Sequence, residues 1–305
     1  MTDLTRRAAL TAAAAMPAAA ALAPAAARAD GHDGPAPQFR SFAIGDMDVS
    51  VLLAGQSVRE GDMQEIFGMN VEADRFADVS REAFIPTDAA LFVFQPTVVR
   101  TGGDVILFDT GLNADGITNV LEAAGVAPGD VTHLVITHMH GDHIGGLTRD
   151  GSPTFANAQH ITGEVEMNAW AENPNEQFTN VVAPLRDQFE LIADGAEIAP
   201  GVTATAMFGH TPGHMGYRLS SGDDQLILAA DMTNHYVWSL AHPDWEVRFD
   251  MDKEAAAATR RRILDMVATD RIPMVGYHMP HPGVGFVEAN GDGFRWVPES
   301  YQFAL

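Results

Sequence analysis

Thr137-His138-Met139-His140-Gly141-Asp142-His143-Ile144-Gly145-Gly146 is the stretch that decides how this chain is read. Three imidazoles and a carboxylate fall within six residues, directly after the apolar run Val131-Thr132-His133-Leu134-Val135-Ile136. A run of that length bounded by turn residues reads as a buried strand. The cluster therefore sits on the loop leaving a strand's carboxyl end, where α/β sheets hold their sites. Side chains two residues apart in extended chain point the same way, so His138 and His140 can share one cation. Asp142 and His143 follow where the chain turns and can face a second. Neutral imidazole with carboxylate oxygen is a ligand set suited to zinc.

More ligand-type side chains appear further along. Gly209-His210-Thr211-Pro212-Gly213-His214-Met215-Gly216 offers two histidines in a glycine-rich turn. Leu226-Ile227-Leu228-Ala229-Ala230-Asp231 is a buried-strand pattern ending in a carboxylate, and Ile272-Pro273-Met274-Val275-Gly276-Tyr277-His278 is one ending in histidine. Val105-Ile106-Leu107-Phe108-Asp109 ends a further strand. Strand ends that terminate in metal-ligand side chains point to one site assembled along a common sheet edge. His133, inside its strand, reads as a core histidine. His160, His235, His242 and His281 read the same way, though His235 and His281 lie close enough to ligands in sequence to line a pocket.

HxHxDH, then GHTPGH, a strand-terminal aspartate and a strand-terminal histidine, in that order, resemble the metallo-β-lactamase superfamily of binuclear metallohydrolases over roughly residues 88–280. The resemblance implies an α/β fold, a four-layer αββα sandwich. It implies that His138, His140 and His214 hold one metal, that Asp142, His143 and His278 hold the other, and that Asp231 bridges the two. In GHTPGH it assigns the ligand to His214 and a supporting role to His210. Asp109 resembles the aspartate that orients a ligand histidine by hydrogen bonding. The implied cofactors are two divalent ions roughly 3.5–4 Å apart, by default zinc, though manganese, iron or cobalt suit the same ligands. A water shared by the two has its pKa lowered to around 7. Asp142 is then the catalytic carboxylate that carries its proton to the leaving group, beside the bridging Asp231.

Composition narrows the reading. The chain has 305 residues, with 18 Lys plus Arg against 41 Asp plus Glu, and Lys253 is the only lysine. So acidic a chain repels phosphate backbones, which disfavours nucleic acid as a partner. The absence of cysteine excludes a disulfide framework and a thiolate nucleophile. Strand–helix alternation from about residue 90 to 280 has no linker-like break, so residues 38–305 read as a single domain. At the N-terminus, Thr5-Arg6-Arg7-Ala8-Ala9-Leu10 is a twin-arginine pattern, followed by an alanine-rich stretch and an A-x-A site at Ala27-Arg28-Ala29. Residues 1–29 read as a signal peptide and 30–37 as a disordered leader, implying a periplasmic or secreted protein. Pro17 and Pro24 make the stretch unsuited to stable membrane insertion.

Phe39–Leu53 reads as a hairpin turning at Gly45-Asp46, and Ala90–Thr101 pairs with Asp104–Asp109 through Gly102-Gly103. Ile117–Ala124, Glu164–Ala171 and Lys253–Val267 read as helices. Residues 60–84 lack clear periodicity and carry Met63, Ile66, Phe67, Met69 and Phe76 among acids. They read as a flap over the site, a homodimer contact or a packed loop. Phe67 and Met69, with Met215, His235, Tyr236 and Trp238, are the expected substrate-binding residues, soft side chains suited to an acyl chain or an aromatic ring.

Only 27 residues follow His278, too few for the C-terminal helical domain of glyoxalase II. His140 stands where flavodiiron proteins carry glutamate. Residues 231–252 and 276–283 look like the methyl parathion hydrolase branch, next to the N-acyl-homoserine lactonases, except that Asn234 occupies the position of the lactonase tyrosine. The implied substrates are small neutral esters or lactones, with organophosphate triesters as a side activity. Three alternatives stay open: a mononuclear iron sulfur dioxygenase, a β-lactamase-type or thioester hydrolase, and a metal-storage protein.

Overall fold

Period-two alternation builds two opposed sheets. In Asp104–Phe108, Ile106 and Phe108 bury between the sheets with Val99 and Val135, while Leu107, Leu134 and Ile136 bury on the opposite face. The computed structural model describes residues 38–300 and residue 302, which form one compact unit. The first sheet takes its seven strands in chain order: Phe39–Ile44, Met47–Leu52, Thr97–Thr101, Asp104–Phe108, His133–Ile136, Gln159–Gly163 and Phe189–Ile192. Its last four strands are parallel. The second sheet is also sequential: Glu197–Ala199, Val202–Ala206, Met215–Ser221, Asp224–Ala230, Met274–Gly276, Val284–Asn290 and Gly293–Pro298. There only Asp224–Ala230 and Met274–Gly276 pair in parallel.

Helices cover both outer faces. Ala114–Ala123 starts where Asn113 accepts a hydrogen bond from the Gly116 amide, and it buries Ile117, Val120 and Leu121 against the first sheet. Glu164–Glu172 adds Met167 and Trp170 to that layer. On the far side, Lys253–Asp270 is capped by Asp252 and packs Ile263, Leu264 and Val267 on Ile227, Ala229 and Met274. The result is the expected αββα order of layers. Burial of each such aliphatic side chain stabilises by about 1.5–3 kcal/mol.

Two segments differ from the sequence reading. The run 90–101 is not one strand. It breaks at Gln95-Pro96, so Ala89–Phe94 pairs with Gly55–Glu60 as a separate ribbon while Thr97–Thr101 enters the first sheet. Pro96 has no amide hydrogen to give a ladder, which makes it a natural break. Residues 60–84 contain a helix, Ala73–Glu82, whose buried face is only Phe76, Val79 and Ser80. Met63, Ile66, Phe67, Phe76 and Val79 form a satellite core with Val237, Trp238, Trp245 and Val247. Residues 1–29 and 30–37, expected to be a signal peptide and a leader, lie outside the described residues, as do Tyr301 and Phe303. Among the described residues no helix is long and apolar enough to cross a membrane.

The topology brings ligand-bearing turns from both sheets together. His133–Ile136 leads into His138 and His140 and then the helical turn Gly141–Ile144. Asp224–Ala230 runs into Asp231, and Met274–Gly276 stops two residues before His278. The turn before Met215–Ser221 carries His210. Asp109 and Ala230 hold left-handed backbone, at φ 65° and 44°. Such positions cost about 1–3 kcal/mol for a residue with a side chain, and they gather at functional sites.

Candidate metal centre

Two groups of side chains converge. In the first, His138 Nε2 lies 3.1 Å from His140 Nδ1, which lies 2.9 Å from His210 Nε2. The second comprises Asp142, His143, Asp231 and His278. His278 Nε2 is 3.2 Å from both Asp142 Oδ2 and Asp231 Oδ2, and His143 Nε2 is 3.2 Å from Asp231 Oδ1. Asp231 Oδ2 also lies 3.4 Å from His210 Nε2 and 3.9 Å from His138 Nε2, so its carboxylate stands between the two groups.

The third histidine of the first group corrects the sequence reading. GHTPGH contributes His210 there, and His214 is turned elsewhere. The His214 Nε2 lone pair accepts the backbone N–H of Asp231 at 3.1 Å, and Nδ1 lies 3.1 Å from the Met207 carbonyl. With both ring nitrogens engaged, His214 supports the backbone of Asp231. The signal separating the two histidines is this long-range contact, which motif spacing does not contain.

The nitrogens facing away from the cluster are held by neighbours. Asp109 Oδ2 is 2.9 Å from His143 Nδ1, Asp250 Oδ1 is 3.0 Å from His210 Nδ1, Thr137 Oγ1 is 3.1 Å from His138 Nδ1, and the Val93 carbonyl is 2.9 Å from His278 Nδ1. Such contacts fix the tautomer and turn the remaining lone pair inward. His143 Nε2 and Asp231 Oδ1 are buried and have no hydrogen-bond partner. Buried polar atoms left unpaired are costly, and a cation bound by the cluster satisfies them. The donor set, imidazole nitrogen with carboxylate oxygen, fits two zinc-type divalent ions.

Electrostatics separate the groups. Burial, reinforced by neighbouring histidines, lowers His140 to about 3 and His138 well below its usual value, so these two rings are neutral imidazoles. In the second group burial opposes charge but is outweighed. The carboxylates of Asp231 and Asp142 raise His278 to about 10, and those of Asp231, Asp109 and Asp142 raise His143. Conversely, His143 and His278 hold Asp142 at about 2 despite its burial, and they hold Asp231 well down.

Sequence reasoning passed over Glu166. This buried residue accepts from Met139 N at 2.9 Å, Trp170 Nε1 at 2.7 Å, Thr211 Oγ1 at 2.7 Å and Gly213 N at 2.9 Å. It thereby ties the His138–His143 loop to the GHTPGH turn. Gly213 lies so close to the Glu166 backbone that any side chain there collides.

The groups lie at the foot of a cavity of about 570 Å³ walled by Phe92, Phe94, Phe249, Leu112 and Val58, with Gln177, Asn234 and Arg59 as polar lining. None of the expected substrate-binding residues lines it. Phe67 and Trp238 pack in the satellite core behind Phe92 and Phe249, with ring centroids 5.2 Å apart. His235 stacks on Trp238 at 4.1 Å, Met215 is buried between the sheets, and Tyr236 faces a separate groove. Met69 is exposed, its amide bonded to the Glu246 carbonyl. The ribbon Gly55–Glu60, through Ser57, Val58 and Arg59, borders the cavity where a flap from residues 60–84 was expected.

Comparison with known proteins agrees with this architecture. An N-acyl homoserine lactonase from a Bacillus species is 27% identical over 158 residues, 52% of this chain and 59% of that protein. The chain thus spans less than two thirds of the curated relatives it matches first. Among solved structures, AidC, described as a dizinc quorum-quenching lactonase, superposes with a TM-score of 0.77 at 24% identity, covering 86% of this chain and 98% of that one. The hydrolase AbOPH superposes with a TM-score of 0.80 at 22% identity, covering 88% and 99%. At those identities the likeness is one of fold. Residues 96–274 match the family described as the metallo-beta-lactamase superfamily, and with the two sheets, the outer helices and the His/Asp cluster in place, the chain belongs to that superfamily.

Proposed function

We propose that the chain is an exported hydrolase that holds two divalent metal ions and cleaves small neutral esters or lactones. The observation that carries this reading is Asp231. Its carboxylate stands between a three-histidine group and a His/Asp group, at the foot of a largely aromatic cavity. His138, His140 and His210 would hold one ion, Asp142, His143 and His278 the other, with Asp231 shared. When bound, such ions supply an activated water and polarise the carbonyl under attack. The similarity to lactonases supports the substrate class. The twin-arginine pattern at Arg6-Arg7 supports export.

The chain's own groups do the rest. Asp142 lines the cavity and is held at about 2, so it is a carboxylate at neutral pH. It takes the proton of the attacking water as the new C–O bond forms. It returns that proton to the leaving oxygen as the ester C–O bond breaks. Phe92, Phe94 and Phe249 exclude water and accept an apolar acyl or aryl group. Arg59 is the one arginine or lysine among the lining residues, and it stands where a carboxylate product can pair with it.

The test is a comparison of kcat/KM on metal-quantified protein. A neutral lactone and an aryl ester should be preferred over a glutathione thioester and a cephalosporin. A clear preference for either anionic substrate, or full activity with one tightly bound iron, overturns the reading.

A further inference from the structure

Behind the His210 ring lies a charge pair that the hydrolytic reading does not use. Asp250 takes the His210 Nδ1–H on one oxygen, at 3.0 Å, and Arg260 Nη1 on the other, at 2.7 Å. Both members of the pair are buried, and Arg260 is inaccessible to solvent. The remaining guanidinium donors are also fixed, Nε on the Pro243 carbonyl at 2.7 Å and Nη2 on the Trp245 carbonyl at 3.2 Å. Arg260 comes from the helix Lys253–Asp270, whose inner face also buries Ala256, Thr259, Ile263, Leu264 and Val267 and no other charged side chain. An arginine buried on such a face is retained at considerable desolvation cost and is compensated only through its partners.

We infer that Arg260 and Asp250 are positioning residues for the metal centre, acting through His210 as a relay from the outer helix. An imidazole Nε2 is a ligand only when its proton sits on Nδ1. Asp250 is the acceptor that keeps it there. Asp250 is in turn ion-paired with the buried Arg260 guanidinium. The rigid fork of Arg260 leaves the carboxylate no alternative rotamer, because the loop carbonyls at 243 and 245 hold the guanidinium plane. His138 and His140 differ: Thr137 Oγ1, beside His138 Nδ1, is neutral, and His140 Nδ1 meets other histidines of the cluster. Within the three-histidine group, anionic support is therefore specific to the ligand supplied by the GHTPGH turn, as Asp109 is to His143 in the other group.

The inference rests on the reading of His210 as a ligand, and the experiment separates the two. Zinc affinity is measured on the stripped full chain by competition with a chromophoric chelator. Cobalt d–d absorption of the same protein reports ligand geometry. Wild type should show two tight sites. Asp250→Asn and Arg260→Lys should each weaken one site about 10–100-fold, with an altered cobalt spectrum, and leave the other site intact. The double variant should be no weaker than Asp250→Asn alone, since Arg260 acts only through Asp250. Ile263→Val, which loosens the same helix without touching the relay, controls for stability. Fewer than two tight sites in wild type would refute the binuclear reading itself. Two sites in wild type that survive unchanged in Asp250→Asn, or a loss matched by Ile263→Val at equal thermal destabilisation, would refute the relay alone.

Discussion

Asp109 holds His143 from behind, with 2.9 Å between Oδ2 and the ring Nδ1, while its Oδ1 accepts the Thr137 amide at 2.9 Å. One buried carboxylate thus fixes both the orientation of a ligand ring and the start of the loop that carries the other histidines. Asp109→Asn keeps the shape but substitutes an amide for the anionic acceptor. Metal affinity or activity should fall about 10–100-fold with little change in fold content. Chelator competition and circular dichroism on one preparation check this, and unchanged affinity contradicts it.

Asp231 and Asp142 should fail differently. Asp231→Ala removes the carboxylate between the two groups and should release metal along with activity. Asp142→Asn should keep most of its metal and lose about 10²–10⁴-fold in kcat, because an amide cannot relay a proton. Elemental analysis beside steady-state rates distinguishes them; equal metal loss in both contradicts the separate roles.

Metal uptake should release protons. In the metal-free protein His278 is raised from 6.5 to about 10, so it is protonated at neutral pH and must give up that proton to become a ligand. Zinc affinity should therefore rise with pH between roughly 6.5 and 10. The stability of the metal-free fold runs the other way. The stabilisation from this raised histidine is complete below 6.5 and is lost as pH climbs through about 10. Asp142, lowered to about 2, stabilises above its ordinary 3.8 and loses that contribution as pH falls through about 2. Calorimetry in buffers of different ionisation enthalpy counts the protons; an uptake that releases none at pH 7 contradicts the assignment.

Gly213→Ala should act at a distance. The added methyl meets the Glu166 backbone and pushes the GHTPGH turn away from the helix Glu164–Glu172. Forced overpacking of this kind costs about 1–3 kcal/mol. A lowered melting temperature with weakened metal binding is expected, measured by thermal melts with and without zinc. A variant that melts and binds like the parent would show the turn to be less constrained than its contacts indicate.

The layered fold was legible because the strands announce themselves twice, once as apolar runs and again by ending in ligand side chains. Val105–Asp109, Leu226–Asp231 and Ile272–His278 are all of this type. The choice between His210 and His214 was not legible. Both sit in one glycine-rich turn, and what separates them is the Asp231 amide, which no local pattern places against His214. The helix Ala73–Glu82 was obscured because its buried face holds only two large apolar residues. Trp238 and Phe67 look like pocket material by composition. Their actual partners come from segments about 170 residues apart in the chain, and that pairing is decided by packing.

Each ligand group draws from both sheets: His138 and His140 meet His210, while Asp142 and His143 meet Asp231 and His278. Residues 138–143 are a single local hexad that can gather as soon as its own strand forms. The remaining ligands lie as far as position 278 and arrive only when the second half of the chain has docked, a long-range event in folding. Tight metal capture is thus a late event in the chain's assembly. Retention of metal in a stopped refolding reaction would mark the moment when the two halves have joined, more specifically than the recovery of secondary structure does.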